Sequence, residues 1–519
     1  MKTVTDTPFD TFDEAAYAGK EGGLLSLLLS ARRLLVFVLL LILFMGGARN
    51  VFDPDFWWHL KTGQHIVDTG TIPHTDIFST VFFGREWVTH EWLSEAIIYL
   101  IHRSLGVAGL VVTFALVVVA ALWLAYRRCA QRVGHPGVAC FALILGALAA
   151  GSTWGARPQM FSFLFASIYI SVLANYYAGE RRGRDIWWLV PLIILWVNMH
   201  AGFALGLVLI VLTIMAMALD HWLVESEPSA SLWPRLRPLC FLLVACTLAV
   251  SLNPSGARIY LYPFETLTSQ AMMKYIQEWF SPDFHKLMFL PLAVLLLATF
   301  AALALSKKRV RPGELLLLSA TAYASLRSAR NIPFFALVAM PLLAEHSWNW
   351  INSQPWGRWL TLPEKREEGA SVALKIALNV LLLIVIPVSL CVLRVTSVVA
   401  SQADSEAENF PVAAVEFVRK NQLPQPVFNE YAWGGYLIWK LYPDYRVYID
   451  GRADVYGDRF LEEFLKTHDG ISNWRAPLDR YGVRTVMIEP GAALASLLRE
   501  DAGWNKVFED QQAVIFVKR

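Results

Sequence analysis

Between Asp53 and Glu95 the chain places Asp53, Asp55, His59, His65, His74, Asp76, His90, Glu91 and Glu95 among Phe56, Trp57, Trp58, Trp87 and Trp92. Carboxylates and imidazoles are the groups that exchange protons near neutral pH and bind cations, so chemistry is expected here first. Asp53-Pro54-Asp55 has the spacing of a DxD motif, in which two carboxylates hold a divalent ion that bridges phosphate oxygens. Periodicity predicts an amphipathic helix over Phe56 to Ile66 and a second from Trp87 to His102, on which Glu91 and Glu95 share one face beside Ser94. Such a face suits a cation or a sugar. His74 with Asp76, and His90 with Glu91, are metal-ligand types at a spacing that matches no specific site. The same residues also fit a plainer pattern, with tryptophans anchored at the headgroup level and the charges facing water.

Four arginines lie at comparable depth beside other apolar runs: Arg157 in Ala156-Arg157-Pro158-Gln159, then Arg258, Arg327 and Arg330. A guanidinium fork fits phosphate oxygens, and an ionisable residue at membrane depth is a functional candidate; snorkelling to headgroups is the competing use. Asn198 and His200, next to Gly202, interrupt apolar sequence either as a polar site or as a helix turn. Near the C-terminus, Asp450-Gly451-Arg452-Ala453-Asp454 follows a predicted strand. Strand ends in α/β sheets commonly carry ligands, although an Asp–Arg pair that stabilises a turn accounts for the same residues.

The elements that position these residues are mostly membrane spans. Of 519 residues 56% are hydrophobic and the mean hydropathy is +0.44, with repeated apolar runs long enough to cross a bilayer. About eleven spans are predicted, centred near Leu40, Val117, Ile144, Ile168, Leu192, Leu209, Leu243, Leu296, Leu318, Leu337 and Leu383. The first run, Leu34 to Met45, has no small-residue cleavage pattern behind it and reads as a retained span. A net charge of +2 with no basic stripe excludes nucleic acid as a partner. Cys129, Cys140, Cys240, Cys246 and Cys391 all lie in or beside apolar runs, which argues against disulfides and thiolate metal sites.

Basic residues fill alternate connections: Arg127, Arg128 and Arg132; Arg181, Arg182 and Arg184; Arg235 and Arg237; Lys307, Lys308, Arg309 and Arg311; Arg358, Lys365 and Arg366. The positive-inside rule makes these cytoplasmic, together with an N-terminal tail over 1–32. A membrane domain then spans 33–400, with a first outer loop at 49–105 and another at 253–286. Residues 405–519 form an extracytoplasmic α/β domain, whose strands are predicted at Val427 to Asn429, Arg446 to Asp450 and Thr485 to Glu489, followed by a terminal hairpin around Asp510 to Gln512. All the chemically interesting segments share one face.

In order along the chain, Asp55-Phe56-Trp57-Trp58-His59-Leu60-Lys61-Thr62-Gly63, Pro73-His74-Thr75-Asp76, His90-Glu91-Trp92, Arg157-Pro158-Gln159, Asn198-Met199-His200, Asn253-Pro254-Ser255-Gly256, Glu278-Trp279, Arg330-Asn331-Ile332-Pro333 and Asp450-Gly451-Arg452 are similar to a group of bacterial multi-pass proteins. The acidic first loop, the span number and the outer C-terminal domain resemble the glycosyltransferase C (GT-C) superfamily. It includes oligosaccharyltransferases, protein mannosyltransferases and aminoarabinose transferases. The resemblance implies a multi-pass protein of the bacterial inner membrane, in contact with the lipid bilayer and a polyprenyl-phosphate-linked sugar donor that enters laterally. It assigns Asp55 as the base, with Asp53, Glu91 and His90 as further catalytic candidates. Arg157, Arg258, Arg327 and Arg330 would hold the donor phosphate. His59, His74, Asp76, Asn198, His200 and Glu278 would meet the acceptor or sugar, and Asp450, Arg452 and Asp454 would face a ligand of the outer domain. A divalent cation, Mg or Mn, is implied as well. One departure bears on that cation: Gly151 to Gln159 contains no acid where many such enzymes carry a second acidic motif, and Glu278 or Asp283 would have to substitute. The alternative is a non-catalytic subunit of this superfamily that scaffolds a larger membrane complex. A transporter fits less well, because the polar residues cluster at one face rather than at mid-membrane.

Overall fold

The computed structural model describes residues 31–519 apart from 181–183, 225–230, 358–376 and 379. The N-terminal tail to residue 30, and Arg181, Arg182, Arg358, Lys365 and Arg366 of the orientation argument, lie outside the described residues. Most of the chain is helical, as expected of apolar runs, because without water only a helix or a closed barrel satisfies every backbone N–H and C=O. The helices that matter for the site are α1 (Ala31–Gly47), α2 (Phe56–Thr69), α3 (Trp92–Val133), α4 (Pro136–Ala150), α5 (Gln159–Tyr177), α6 (Leu189–Met199) and α7 (Phe203–Leu223).

A helix covers each of the eleven predicted centres. Seven helical segments among the described residues are long and apolar enough to cross a membrane, and two shorter apolar ones run over Leu34–Gly47 and Asp185–Met199. The centres near Leu318 and Leu337 fall in Pro312–Arg327 and Ile332–Asn352, which carry charges at Glu314 and Glu345. Arg132 reaches both acids, at 2.7 and 2.8 Å, so these helices spend part of their length on an ion-pair network. Ile332–Asn352 is largely buried and packs against α3, α4 and two neighbouring helices.

Two features of the first loop set the site. Asp53 opens α2 by accepting the Asp55 N–H at 2.9 Å on its Oδ1, an Asx turn that aims both carboxylates the same way. Gly63, in the middle of α2, meets the backbone of α3 so closely that a Cβ there would strike the Glu95 carbonyl and the Tyr99 side chain. Gly63→Ala is therefore expected to destabilise the protein by about 1–3 kcal/mol through overpacking, read as a lowered melting temperature in detergent. The second helix expected in this loop starts at Trp92 rather than Trp87 and runs on as α3 across a break at Gly106 (φ 60°).

The C-terminal region folds around a four-stranded sheet of β1 (Val427–Asn429), β2 (Thr485–Ile488), β3 (Trp504–Glu509) and β4 (Val514–Lys518), in the order β1-β2-β4-β3. β1 and β2 are parallel and the other pairs antiparallel. The strand expected at Arg446 to Asp450 does not form. Its backbone partners come from elsewhere: Asn429 Oδ1 accepts the Tyr448 N–H at 2.8 Å, Asn429 Nδ2 donates to the Ile449 carbonyl at 2.8 Å, and Val447 exchanges hydrogen bonds with Phe78 and Thr80 of the first loop. Phe82 of that loop packs edge-on against Tyr456 and Phe460, with centroids 5.3 and 5.0 Å apart, and so belongs to the domain's own core.

Candidate functional site

The first loop, the Arg157 turn, His200, the 262–279 connection and Arg330 converge with the C-terminal domain on one cavity of about 390 Å³. On one side of it, Arg157 sits in a cage of acids. Its Nε lies 3.1 Å from Asp53 Oδ2, its Nη2 2.9 Å from Asp55 Oδ2, and its Nη1 2.7 Å from Glu278 Oε2. The remaining oxygens are engaged too: Asp53 Oδ1 by the Asp55 N–H, Asp55 Oδ1 by Trp58 Nε1 at 3.3 Å, and Glu278 Oε1 by the Arg330 guanidinium at 3.8 Å. Arg330 in turn stacks over Trp279, 4.4 Å from the ring centroid.

This geometry separates the three acids. Burial raises Asp55 to about 7, against the opposing pull of Arg157, because Asp53 and Glu278 add like charge beside it. Burial raises Asp53 as well. Burial acts in the same sense on Glu278, but Arg157 and then Arg330 outweigh it and hold the carboxyl down at about 2. Asp55 is thus an acid poised near neutrality beside a permanently ionised one, which is the condition for proton exchange at working pH. Gly451 of the C-terminal domain lies against the Asp55 carboxylate so tightly that a Cβ would overlap Oδ1, and the contact fixes the side chain from above.

Across the cavity, Glu91 faces three imidazoles. His59 Nδ1 is 3.4 Å from Oε2, while His90 Nε2 and His200 Nε2 are 3.1 and 3.5 Å from Oε1. Burial opposes ionisation of Glu91, yet His90, His59 and His200 together push its carboxyl below the ordinary range. Burial lowers His59 to about 3 and His200 to about 4, whereas Glu91 outweighs burial at His90 and raises it. His200 Nδ1 accepts the Gly202 N–H at 2.9 Å and meets Ser162 Oγ at 2.7 Å, which turns its Nε2–H toward Glu91.

Asp53, Asp55, His59, His90, Glu91, Arg157, His200, Glu278, Arg330, Arg452 and Asp454 all line the cavity. The others do not. Arg258 pairs with Glu265 at 2.9 Å and Glu86 at 3.4 Å, and Arg327 is exposed with Met273 Sδ at 3.6 Å. His74 is exposed, and Asn198 is buried as the acceptor for Trp92 Nε1 at 2.7 Å. Asp450 and Arg452 form a bidentate pair at 2.8 and 2.7 Å, which Asp76 joins at 2.8 Å; these three are the clamp between loop and domain. The turn-stabilising use of Asp450 and Arg452 is what the structure adopts. Sequence reasoning missed Tyr262, whose ring lies 4.1 Å from that of His90, since nothing in its local sequence marks it.

A divalent cation at the DxD acids would compete with Arg157 for every oxygen that faces the cavity, so those residues do not offer an open ligand set. Immediately beyond Arg157 and Glu278 a second cavity of about 360 Å³ is lined in part by Phe52, Trp154, Phe280, Met288 and Phe289.

No protein-family model matches the chain, and no curated protein matches it by sequence. Solved structures do match by fold. The oligosaccharyltransferase AglB from Archaeoglobus fulgidus, in complex with an inhibitory peptide and a dolichol-phosphate, superposes over 88% of this chain and 69% of its own at 12% identity and a TM-score of 0.53. The apo form of the Archaeoglobus fulgidus oligosaccharyltransferase gives 89% and 70% coverage, 13% identity and a TM-score of 0.52. ArnT from Cupriavidus metallidurans, bound to undecaprenyl phosphate, aligns over 93% of this chain and 97% of its own at 12% identity and a TM-score of 0.47.

Proposed function

We propose that this chain, which has the GT-C fold, transfers a glycosyl group from a polyprenyl-phosphate-linked donor to an acceptor hydroxyl at the extracytoplasmic face of a bacterial inner membrane. The observation that carries the proposal is Asp55: a carboxylate near neutrality, pinned beside Arg157 in a large cavity that Arg330 also lines. In the reaction, the acceptor oxygen bonds to the anomeric carbon as the bond from that carbon to the phosphate oxygen breaks. The polyprenyl phosphate leaves with the bonding electrons, and the acceptor proton passes to the Asp55 carboxylate.

Arg330 supplies the charge that meets the leaving phosphate, because among the described residues its one carboxylate contact is the loose one to Glu278. Arg157, with all three nitrogens committed to acids, is a positioning residue for Asp55 and Glu278. The neighbouring cavity, whose wall mixes polar residues with Phe52, Trp154, Phe280, Met288 and Phe289, shares Arg157, Glu278 and Arg330 with the main one and offers the polyprenyl chain a route from the bilayer to the phosphate site. The C-terminal domain roofs the acceptor side.

The test is turnover by the purified chain in liposomes with polyprenyl-phosphate-linked sugars, read as release of polyprenyl phosphate. No release with any sugar of a broad panel would leave the scaffold reading, which the full occupation of Arg157 by acids favours. Arg330→Ala is expected to lower the rate by more than tenfold with the fold intact. Glu278→Gln removes a like charge from beside Asp55, so the acid limb of the pH–rate profile should move to lower pH.

A further inference from the structure

We infer that His59, Glu91 and Glu95 form a binding site for a first-row transition-metal ion of the Zn²⁺ class, built into the wall of the cavity and distinct from the DxD acids. Among the described residues, one set of histidines and acids brings a ligand atom from each member within 4.8 Å of all the others: His59, Glu91 and Glu95. His59 Nδ1 lies 3.0 Å from Glu95 Oε1 and 3.4 Å from Glu91 Oε2. Ligands bonded at about 2.0–2.2 Å to a tetrahedral ion lie roughly 3.3 Å apart, close to both of these separations.

His90 is not a ligand. Glu91 outweighs burial and raises it, so the ring donates from Nδ1 to the Val88 carbonyl at 3.1 Å and from Nε2 to Glu91 Oε1, and a proton fills that contact. Glu95 Oε2, by contrast, is buried with no hydrogen-bond partner, on a residue 1% exposed, and a bound cation would supply the partner it lacks. An imidazole with two carboxylates favours Zn²⁺, Fe²⁺ or Mn²⁺ over Mg²⁺, which prefers oxygen ligands and its own waters. His200 is not a ligand, because its Nδ1 accepts from Gly202 and its Nε2 therefore carries the proton that points at Glu91. His59 and Glu91 face the cavity, so the ion would have an open side toward whatever binds there.

The site does not depend on the transfer reaction, and its test reads metal rather than turnover. The full chain in nanodiscs, loaded with ZnCl₂ and dialysed against buffer, should retain close to one Zn²⁺ per chain by elemental analysis. Asp53→Asn should retain it equally, whereas Glu95→Gln and His59→Gln should lower retention by more than tenfold. X-ray absorption of the Zn²⁺-loaded wild type should show imidazole scattering with nitrogen and oxygen neighbours only, a readout that needs no variant to fold. Absence of retained Zn²⁺ in the wild type, equal retention by Glu95→Gln, loss in Asp53→Asn, or an absorption spectrum without imidazole would each overturn the assignment. In those cases the cluster holds protons alone.

Discussion

Replacing Asp55 by Asn is expected to lower kcat for glycosyl transfer by roughly 10²–10⁴-fold, the usual contribution of a positioned general base, with little change in KM. Asn preserves the shape that fits under Gly451 and can still accept from Trp58 Nε1, so the loss reports the missing proton acceptor rather than a collapsed site. The wild-type rate should climb as pH rises through about 7, because Asp55 acts only when ionised and burial has raised it to that value. The variant should lack that limb. Full transfer by Asp55→Asn, measured as polyprenyl phosphate released in liposomes, would remove Asp55 from the proposed role.

The largest structural effect is expected at Arg452. Its side chain is 1% exposed, bridges Asp450 in two hydrogen bonds and approaches Asp76 at 2.8 Å, with Phe78 and Trp87 stacked about the guanidinium at 5.1 and 4.6 Å. Arg452→Met leaves two buried carboxylates without a counter-charge, which costs about 3–5 kcal/mol when one partner of a buried pair is removed. Asp76 makes the sign with pH explicit. Burial alone would raise its carboxyl, but Arg452 and Ser79 hold it below the ordinary value. Its contribution to stability is therefore present above the unfolded value and lost as pH falls through the folded one. Loss of the arginine should appear as a lower melting temperature by tryptophan fluorescence and as earlier proteolysis in the first loop. The triple variant Asp76→Asn, Asp450→Asn, Arg452→Met should recover part of the loss, since it removes the stranded charges along with their partner.

The parts of this architecture that rest on local periodicity were legible before any coordinates. Apolar runs became helices at each predicted centre, and Val427–Asn429, Thr485–Ile488 and the terminal hairpin are strands. What local pattern could not reveal was which partner a segment would choose. Arg446 to Asp450 looks like a strand, yet its ladder is supplied by the side chain of Asn429 and by a loop 366 residues away. The same holds for the site. Asp53, Asp55, Glu91 and Arg157 stand out by type and position, but the closure of Arg157 by three acids from two distant segments is a property of the assembled bundle. Arg258 and Arg327 share the depth of Arg330 in sequence and differ only in which neighbours the fold gives them.

The tight seams at Gly435 and Gly451 carry a consequence for how such proteins diversify. A Cβ at Gly435 would overlap the Pro54 carbonyl, and one at Gly451 the Asp55 carboxylate, while Phe82 of the loop sits in the domain's own interior. The C-terminal domain is therefore not an interchangeable cap. A chimera that grafts a new one onto residues 1–404 would inherit a mismatched floor, and recombination should succeed only when the stretch from Asp53 to Trp87 travels with it.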